Sequence, residues 1–384
     1  MLDYIIVGGG PIGLYVGSLL KDRNLKFLII ERDHIGGRVG NVTFQNTEIM
    51  IGAGIGRLAK DKLLMQLLID LGLSAPLFYT KKTFSEKASS SRVNMKSILK
   101  LLQNKLTENP SLHNLTFRDF ALRFLSLKKY NGFVITSGFS DFENTAISDA
   151  LNHYGFDDND DEWQAFHVPW KKMVQRLANK IGHENILLGT EVTSLSILQK
   201  SVAVNTSNGI FEGRHCILAT TIDTIQKLLP EKPIYKQIGG QPFLRVYGKV
   251  VSREMKSKVI GTTIVDTPLQ KISRVDENVY MIAYSDNANA LHLKDFIRNT
   301  HENRQMWARQ LKEALSLSSL PKVEAIRGFF WEIGTHFYKV GSNDRETFLY
   351  RAQRPYPNVS VCGEVVALNQ GWTNEALKTV HSIL

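Results

Sequence analysis

Short unbroken apolar runs separated by glycine turns dominate the start of the chain. Tyr4-Ile5-Ile6-Val7 is one run; glycine-rich Gly8 to Gly13 follows, then a helical periodicity over 14–22, then a second run, Phe27-Leu28-Ile29-Ile30. Strand, turn, helix and strand within roughly 30 residues make the βαβ unit of a parallel sheet, whose strands are buried on both faces and so lose apolar–polar alternation. From Lys81 to about Tyr130 the pattern turns helical and basic, with a mobile loop expected over 88–92. Further on, the pattern predicts a helix over 170–180, a strand over 186–188, a hairpin arm over 192–198 and 201–205, strands over 210–211 and 216–219, and a short helix ending near Pro230. Strands over 243–251, 259–265 and 279–284, a helix over 293–315, a strand over 359–361 and a helix over 374–384 complete the reading. First and last segments both look like pieces of one sheet, and no internal repeat is visible. The expected class is α/β: a discontinuous Rossmann-like dinucleotide-binding domain (1–80, 170–240 and 350–384) with an inserted α+β substrate domain (81–169 and 241–349).

Gly8-Gly9-Gly10-Pro11-Ile12-Gly13 fits G-x-G-x-x-G between a strand and a helix. Its first glycine permits the tight turn, the second lets backbone approach a pyrophosphate, and the third lets the helix pack closely on the sheet, with the helix N-terminus facing the anion. Glu31 ends the second strand, where a carboxylate accepts hydrogen bonds from both ribose hydroxyls and disfavours a 2′-phosphate. FAD or NAD therefore fits better than NADP.

Charge adds a tension to this picture. The 384 residues hold 47 Lys plus Arg against 37 Asp plus Glu, a formal net charge of +10. Such a balance suits phosphates, yet no nucleic-acid-binding motif, signal peptide or membrane-length apolar run accompanies it. Two distant cysteines, Cys216 and Cys362, exclude a disulfide framework and a four-cysteine zinc site, which favours a reducing, cytoplasmic or similar soluble compartment. The acidic run Asp157 to Glu162 lacks the glycine and spacing of a calcium loop, and reads as a solvated loop. No histidine has metal-ligand spacing.

Glu31-Arg32-Asp33-His34-Ile35-Gly36-Gly37-Arg38 and the later Ile51-Gly52-Ala53-Gly54-Ile55-Gly56 resemble the flavin-dependent amine oxidase superfamily, which includes monoamine and polyamine oxidases. Two further segments are similar to that family: 190–195 with 202–204 and 216–220, and Val361-Cys362-Gly363-Glu364 with Gly371-Trp372-Thr373-Asn374-Glu375-Ala376-Leu377. The resemblance implies noncovalent FAD, since neither cysteine stands where some members attach it. It further implies that Arg32, Gly37 and Arg38 wrap the diphosphate, that Gly52, Ala53 and Gly54 lie beside the ring system, and that backbone at Val192 pairs with the adenine. Gly363 and Glu364 would hold the ribityl or diphosphate region, and Thr373 opens a helix aimed at the flavin carbonyl. The implied activity is oxidation of an amine, with oxygen as acceptor and hydrogen peroxide as product; the flavin carries the chemistry and the protein positions the amine.

Trp372 takes the place of one aromatic flanking the amine, with Trp331, His336, Phe337 and Tyr338 as candidates for the other wall. Arg245 stands where many members place a lysine near the flavin, with Lys249 expected on the same strand face; an arginine cannot serve as base. Glu375 replaces a small residue near the flavin, and Val168-Pro169-Trp170 replaces a Gly-Gly pair. These departures leave open a CH–CH oxidase or desaturase, and an FAD-binding protein with little turnover. A positive surface does not steer polyamines, so either the acidic run shapes the field at the entrance or the substrate is not strongly cationic.

Overall fold

The computed structural model describes residues 1–156, 162–341 and 344–384. The acidic run, apart from Glu162, lies outside them.

A seven-stranded sheet is built around β1 (Leu2–Val7). β1 pairs in parallel with β2 (Phe27–Ile30) on one side and with Gly209–Leu218 on the other, so Ile5 and Ile6 are buried. Ile186–Leu187 extends the sheet beyond β2, and Val359–Val361 lies parallel to Cys216–Leu218. A hairpin, Val192–Ile197 and Val202–Thr206, pairs antiparallel with the first half of Gly209–Leu218. The two strands expected over 210–211 and 216–219 are thus one, because its halves serve different neighbours along the same edge.

Helix α1 (Pro11–Asp22) packs against one face with Trp170–Ile181 and Thr373–Ile383, burying Leu14, Leu20, Trp170, Leu177 and Leu377 with Ile6 and Ile29. At Gly17 a Cβ would press on Ile29 and Ile181, which is why a glycine allows this approach of helix to sheet and helix. The opposite face is covered by Ile225, Tyr235, Phe348 and Val365.

A second sheet runs, in spatial order, Lys322–Tyr338, Ile238–Val251, Val279–Asp286, Lys271–Arg274, Thr262–Ile264 and Lys82–Phe84. Its 17-residue edge strand, Lys322–Tyr338, carries no clear sequence pattern, since its middle is half-buried on both faces. Two expectations change here. The helix over 293–315 is broken into Asn287–Leu293, a 3₁₀ turn and His301–Leu315, the last restarted by Thr300 accepting from Asn303 N–H at 3.2 Å. The expected loop over 88–92 begins as a helix, Glu86–Ser90, capped by Ser85 and anchored by buried Ala88.

Around these sheets, helices from Met95–Glu108 to Ile147–His153 form an aromatic-rich cluster. Met95–Glu108 buries Ile98 and Leu102 and leaves Lys96 and Lys100 exposed, so these lysines form a solvated face. A buried two-point ion pair, Arg345 to Asp149 at 2.8 and 2.6 Å, ties the cluster to the C-terminal segment. Among the described residues no helix is long and apolar enough to cross a membrane.

Candidate functional site

A cavity of about 1470 Å³ runs from the C-terminal end of β1 to the second sheet. At its first end the chain offers donors with no side chain in the way. α1 has Gly10 as N-cap without a side-chain cap, and a Cβ on Gly10 would meet nothing within 4 Å. Gly8, Pro11 and Ile12 also line this end; Gly13 does not, and instead packs against the Gly8 carbonyl. Glu31 sits beside the loop, its Oε2 accepting from Gly9 N–H at 2.7 Å and its Oε1 from Asp33 N–H at 2.8 Å. Glu31 itself lines the cavity. Arg32 lines the mouth and is exposed, paired with Asp33 at 3.0 Å. Val192 is not among the lining residues; its backbone continues the hairpin opposite Thr206.

The segment 51–54 is held flat against the wall. Ala53 N–H donates to the Arg38 carbonyl at 3.1 Å, Trp331 Nε1 donates to Ile51 O at 2.9 Å, and Trp170 Nε1 donates to Gly54 O at 2.7 Å. A Cβ on Gly52 would strike that same Arg38 carbonyl, so the segment can lie this close only with glycine. Trp170, a departure from the family pattern in sequence, thereby positions a glycine segment from behind.

Gly37, Arg38, Gly363 and Glu364 meet at the middle of the cavity. Glu364 Oε1 accepts from the backbone N–H of His336 and of Gly371, each at 2.9 Å, and Oε2 from His336 Nδ1 and, at 3.3 Å, from Arg38. Because Ile222 N–H donates to His336 Nε2 at 3.2 Å, the ring's proton lies on Nδ1. Protein donors therefore occupy both oxygens of Glu364, which clips Arg38, the second sheet and the closing motif together. Burial opposes ionisation of Glu364, and His336 with Arg38 outweighs it, holding the carboxyl down to about 2. A depressed carboxyl stabilises the fold above its unfolded value and loses that contribution as pH falls towards the folded value. Stability should fall as pH drops below roughly 4.5, and Glu364→Gln should flatten this part of a urea-melt pH series.

Trp372 caps the last helix, and Thr373 follows it into the cavity wall. The Arg57 guanidinium lies 3.6 Å from the centre of the Trp372 ring and is itself fixed by Asp61, Nη2 to Oδ1 at 2.6 Å. Glu375 turns away from the cavity: its oxygens accept from Lys378 Nζ at 2.8 and 3.1 Å. The charge that looked troublesome in sequence is thus neutralised outside. Of the other-wall candidates, Trp331 lines this cavity, while His336, Phe337 and Tyr338 do not; the Tyr338 hydroxyl donates to Ala367 O at 2.7 Å.

Arg245 is 5 % exposed and lines the cavity beside Gly54, its guanidinium 4.3 Å from the Tyr284 ring centre and its Nε without a hydrogen-bond partner. Lys249, four residues on, lies on the same face but about 13 Å further along the strand; it pairs with Glu324 at 3.1 Å and does not reach the cavity. Another basic residue, missed in sequence, stands in the wall instead. Lys271 follows Gln270 at a strand start with no motif around it, and only the pairing of the second sheet brings it to Tyr284. Asp141, also unsuspected, lines the same region; burial and Asp286 push its carboxyl up to about 7.

Residues 6–68 match the family model described as an NAD(P)-binding Rossmann-like domain. With the second sheet added, the whole chain has the fold of solved amine-oxidase structures. One is a putrescine oxidase double mutant made in a structure-based redesign of cofactor binding, 13% identical, covering 100% of this chain and 98% of that one at a TM-score of 0.77. Wild-type putrescine oxidase bound to putrescine and cyclohexylamine oxidase from Brevibacterium oxydans IH-35A are each 14% identical, with the same coverage and a TM-score of 0.77. No curated protein matches the chain.

Proposed function

We propose that the protein is an FAD-dependent oxidoreductase that oxidises an amine. The observation that carries this reading is one continuous cavity, open at Gly10 and at the uncapped ends of two helices, and walled further in by Trp331 and Trp372. The fit to a dinucleotide is physical. A Cβ would meet nothing within 4 Å at Gly10, Gly363 or Gly371, so side chains there would fill the very space the cofactor needs. Residues 1–80, 170–240 and 350–384 would hold FAD, and 81–169 with 241–349 the substrate. Burial pushes the Cys216 and Cys362 thiols up to about 12, which supports a noncovalent cofactor. The relatives of the same fold named for putrescine and cyclohexylamine support an amine.

Bound in this cradle, FAD supplies the acceptor for the hydride equivalent leaving the carbon next to nitrogen. The net reaction would move two electrons and two protons from the CH–NH unit to oxygen as hydrogen peroxide, and water would hydrolyse the imine to a carbonyl compound and, from a primary amine, ammonia. Trp331 and Trp372 would orient the amine and exclude water, with Arg57 and Asp61 keeping the second ring in place. Arg245 stays charged, so it would neutralise negative charge developing beside Gly54, and it takes no proton.

The test is peroxide release over a panel of aliphatic, aromatic and amino-acid amines, with the carbonyl product quantified in parallel. One peroxide per carbonyl is expected with at least one class; no peroxide from any of them would overturn the reading.

A further inference from the structure

Arg245 and Lys271 converge on one ring: the Arg245 guanidinium lies 4.3 Å and the Lys271 ammonium 5.7 Å from the centre of Tyr284. Both residues line the cavity and are buried, at 5 % and 8 % exposure. The Lys271 Nζ rests 2.8 Å from the Phe139 ring centre and makes no hydrogen bond or ion pair among the described residues. Its acidic neighbours Asp286 and Asp141 favour its charge without pairing with it, each being hydrogen-bonded elsewhere. Asp286 accepts from Ser140 N–H at 2.9 Å, from the Ser140 hydroxyl, and from Gln270 Nε2 at 2.9 Å. Asp141 accepts from the Tyr154 hydroxyl. The buried Arg245 Nε also lacks an acceptor, so among the described residues each of these two basic side chains carries a donor nitrogen without a hydrogen-bond acceptor.

A buried cation without an acceptor is costly, and a ligand carboxylate reaching both from the cavity across Tyr284 would relieve both. Burial pulls the Lys271 amine well below its ordinary value, and a bound anion would restore its charge. A polyamine would instead bring positive charge to the Arg245 guanidinium.

We propose that Arg245 and Lys271 form a carboxylate-binding pair, and that the amine oxidised in this cavity carries a carboxylate, as an amino acid does. The substrate part of this proposal rests on the oxidase reading above; the binding pair does not.

Isothermal titration separates the two. Phenylacetate and its uncharged isostere phenylacetamide are titrated into the purified protein. Phenylacetate is expected to bind at least about tenfold more tightly, and Lys271→Met to cost it roughly tenfold while leaving phenylacetamide unchanged, the latter also reporting an intact cavity. Equal affinity of the two probes for the unaltered protein would overturn the pair without recourse to any variant. Peroxide release from phenylalanine and from phenethylamine then tests the substrate: release with phenylalanine preferred is expected, and release with phenethylamine alone would overturn the substrate class while sparing the oxidase reading. Preferential phenylacetate binding with no peroxide from any amine would support the pair and contradict the oxidase.

Discussion

Replacing Glu31 by alanine should leave a folded protein that loses its FAD on gel filtration. The carboxylate does two things at once. It accepts from Gly9 N–H at 2.7 Å and Asp33 N–H at 2.8 Å, which fixes the glycine loop, and it lines the cavity, where it would accept from ribose hydroxyls. A hydrogen bond to a charged group is worth about 1.5–3 kcal/mol, so losing the ribose contact alone should weaken FAD retention by roughly 10- to 150-fold. Loosening of the loop adds to this. Flavin content per protein after gel filtration reads the effect directly, and an unchanged ratio would remove Glu31 from the cofactor site.

The largest loss of stability should come from Asp61→Ala. Arg57 and Asp61 are almost fully enclosed, their side chains 6 % and 2 % exposed, and Asp61 accepts from the Arg57 backbone N–H at 2.7 Å as well as from its guanidinium. Removing the acid breaks a buried, two-point ion pair, which costs about 3–5 kcal/mol, whereas an exposed pair of the same length would be worth less than about 1 kcal/mol. The urea midpoint should fall with its slope unchanged. Because the same guanidinium covers the Trp372 ring, the altered protein should also bind aromatic amines less well. A midpoint shift equivalent to less than about 1 kcal/mol would mean that the pair does not carry the local structure.

What was legible in the sequence is what chemistry fixes locally. β1, α1 and β2 are contiguous, and the tight turn, the uncapped helix start and the acid after β2 must all lie within one short stretch to make a pyrophosphate cradle. The closing motif around Gly363 and Trp372 is equally compact. The second-sheet end of the cavity is not. Arg245, Lys271 and Tyr284 come from three strands of one sheet, and their convergence depends on strand pairing that no spacing records. Lys249 looked equivalent to a cavity residue because strand alternation reports the face and not the distance along it. Glu375 looked like a misplaced charge because its partner, Lys378, lies one turn along the same helix, a pairing visible in the sequence only once that helix is oriented.

The positive balance of the chain now divides in two. Lysines such as Lys96 and Lys100 coat a solvated helix face, while Arg245 and Lys271 are buried in the cavity wall. Only the second pair would constrain a ligand.

Binding of FAD in this cavity and its reduction by an amine are tested most directly by the visible absorption spectrum of the purified protein, recorded before and after anaerobic mixing with amines and amino acids. An oxidised flavin spectrum that bleaches with substrate and returns on admitting air is expected. A colourless protein that takes up no added FAD, or a flavin that no amine bleaches, would rule out an amine-oxidising flavoprotein.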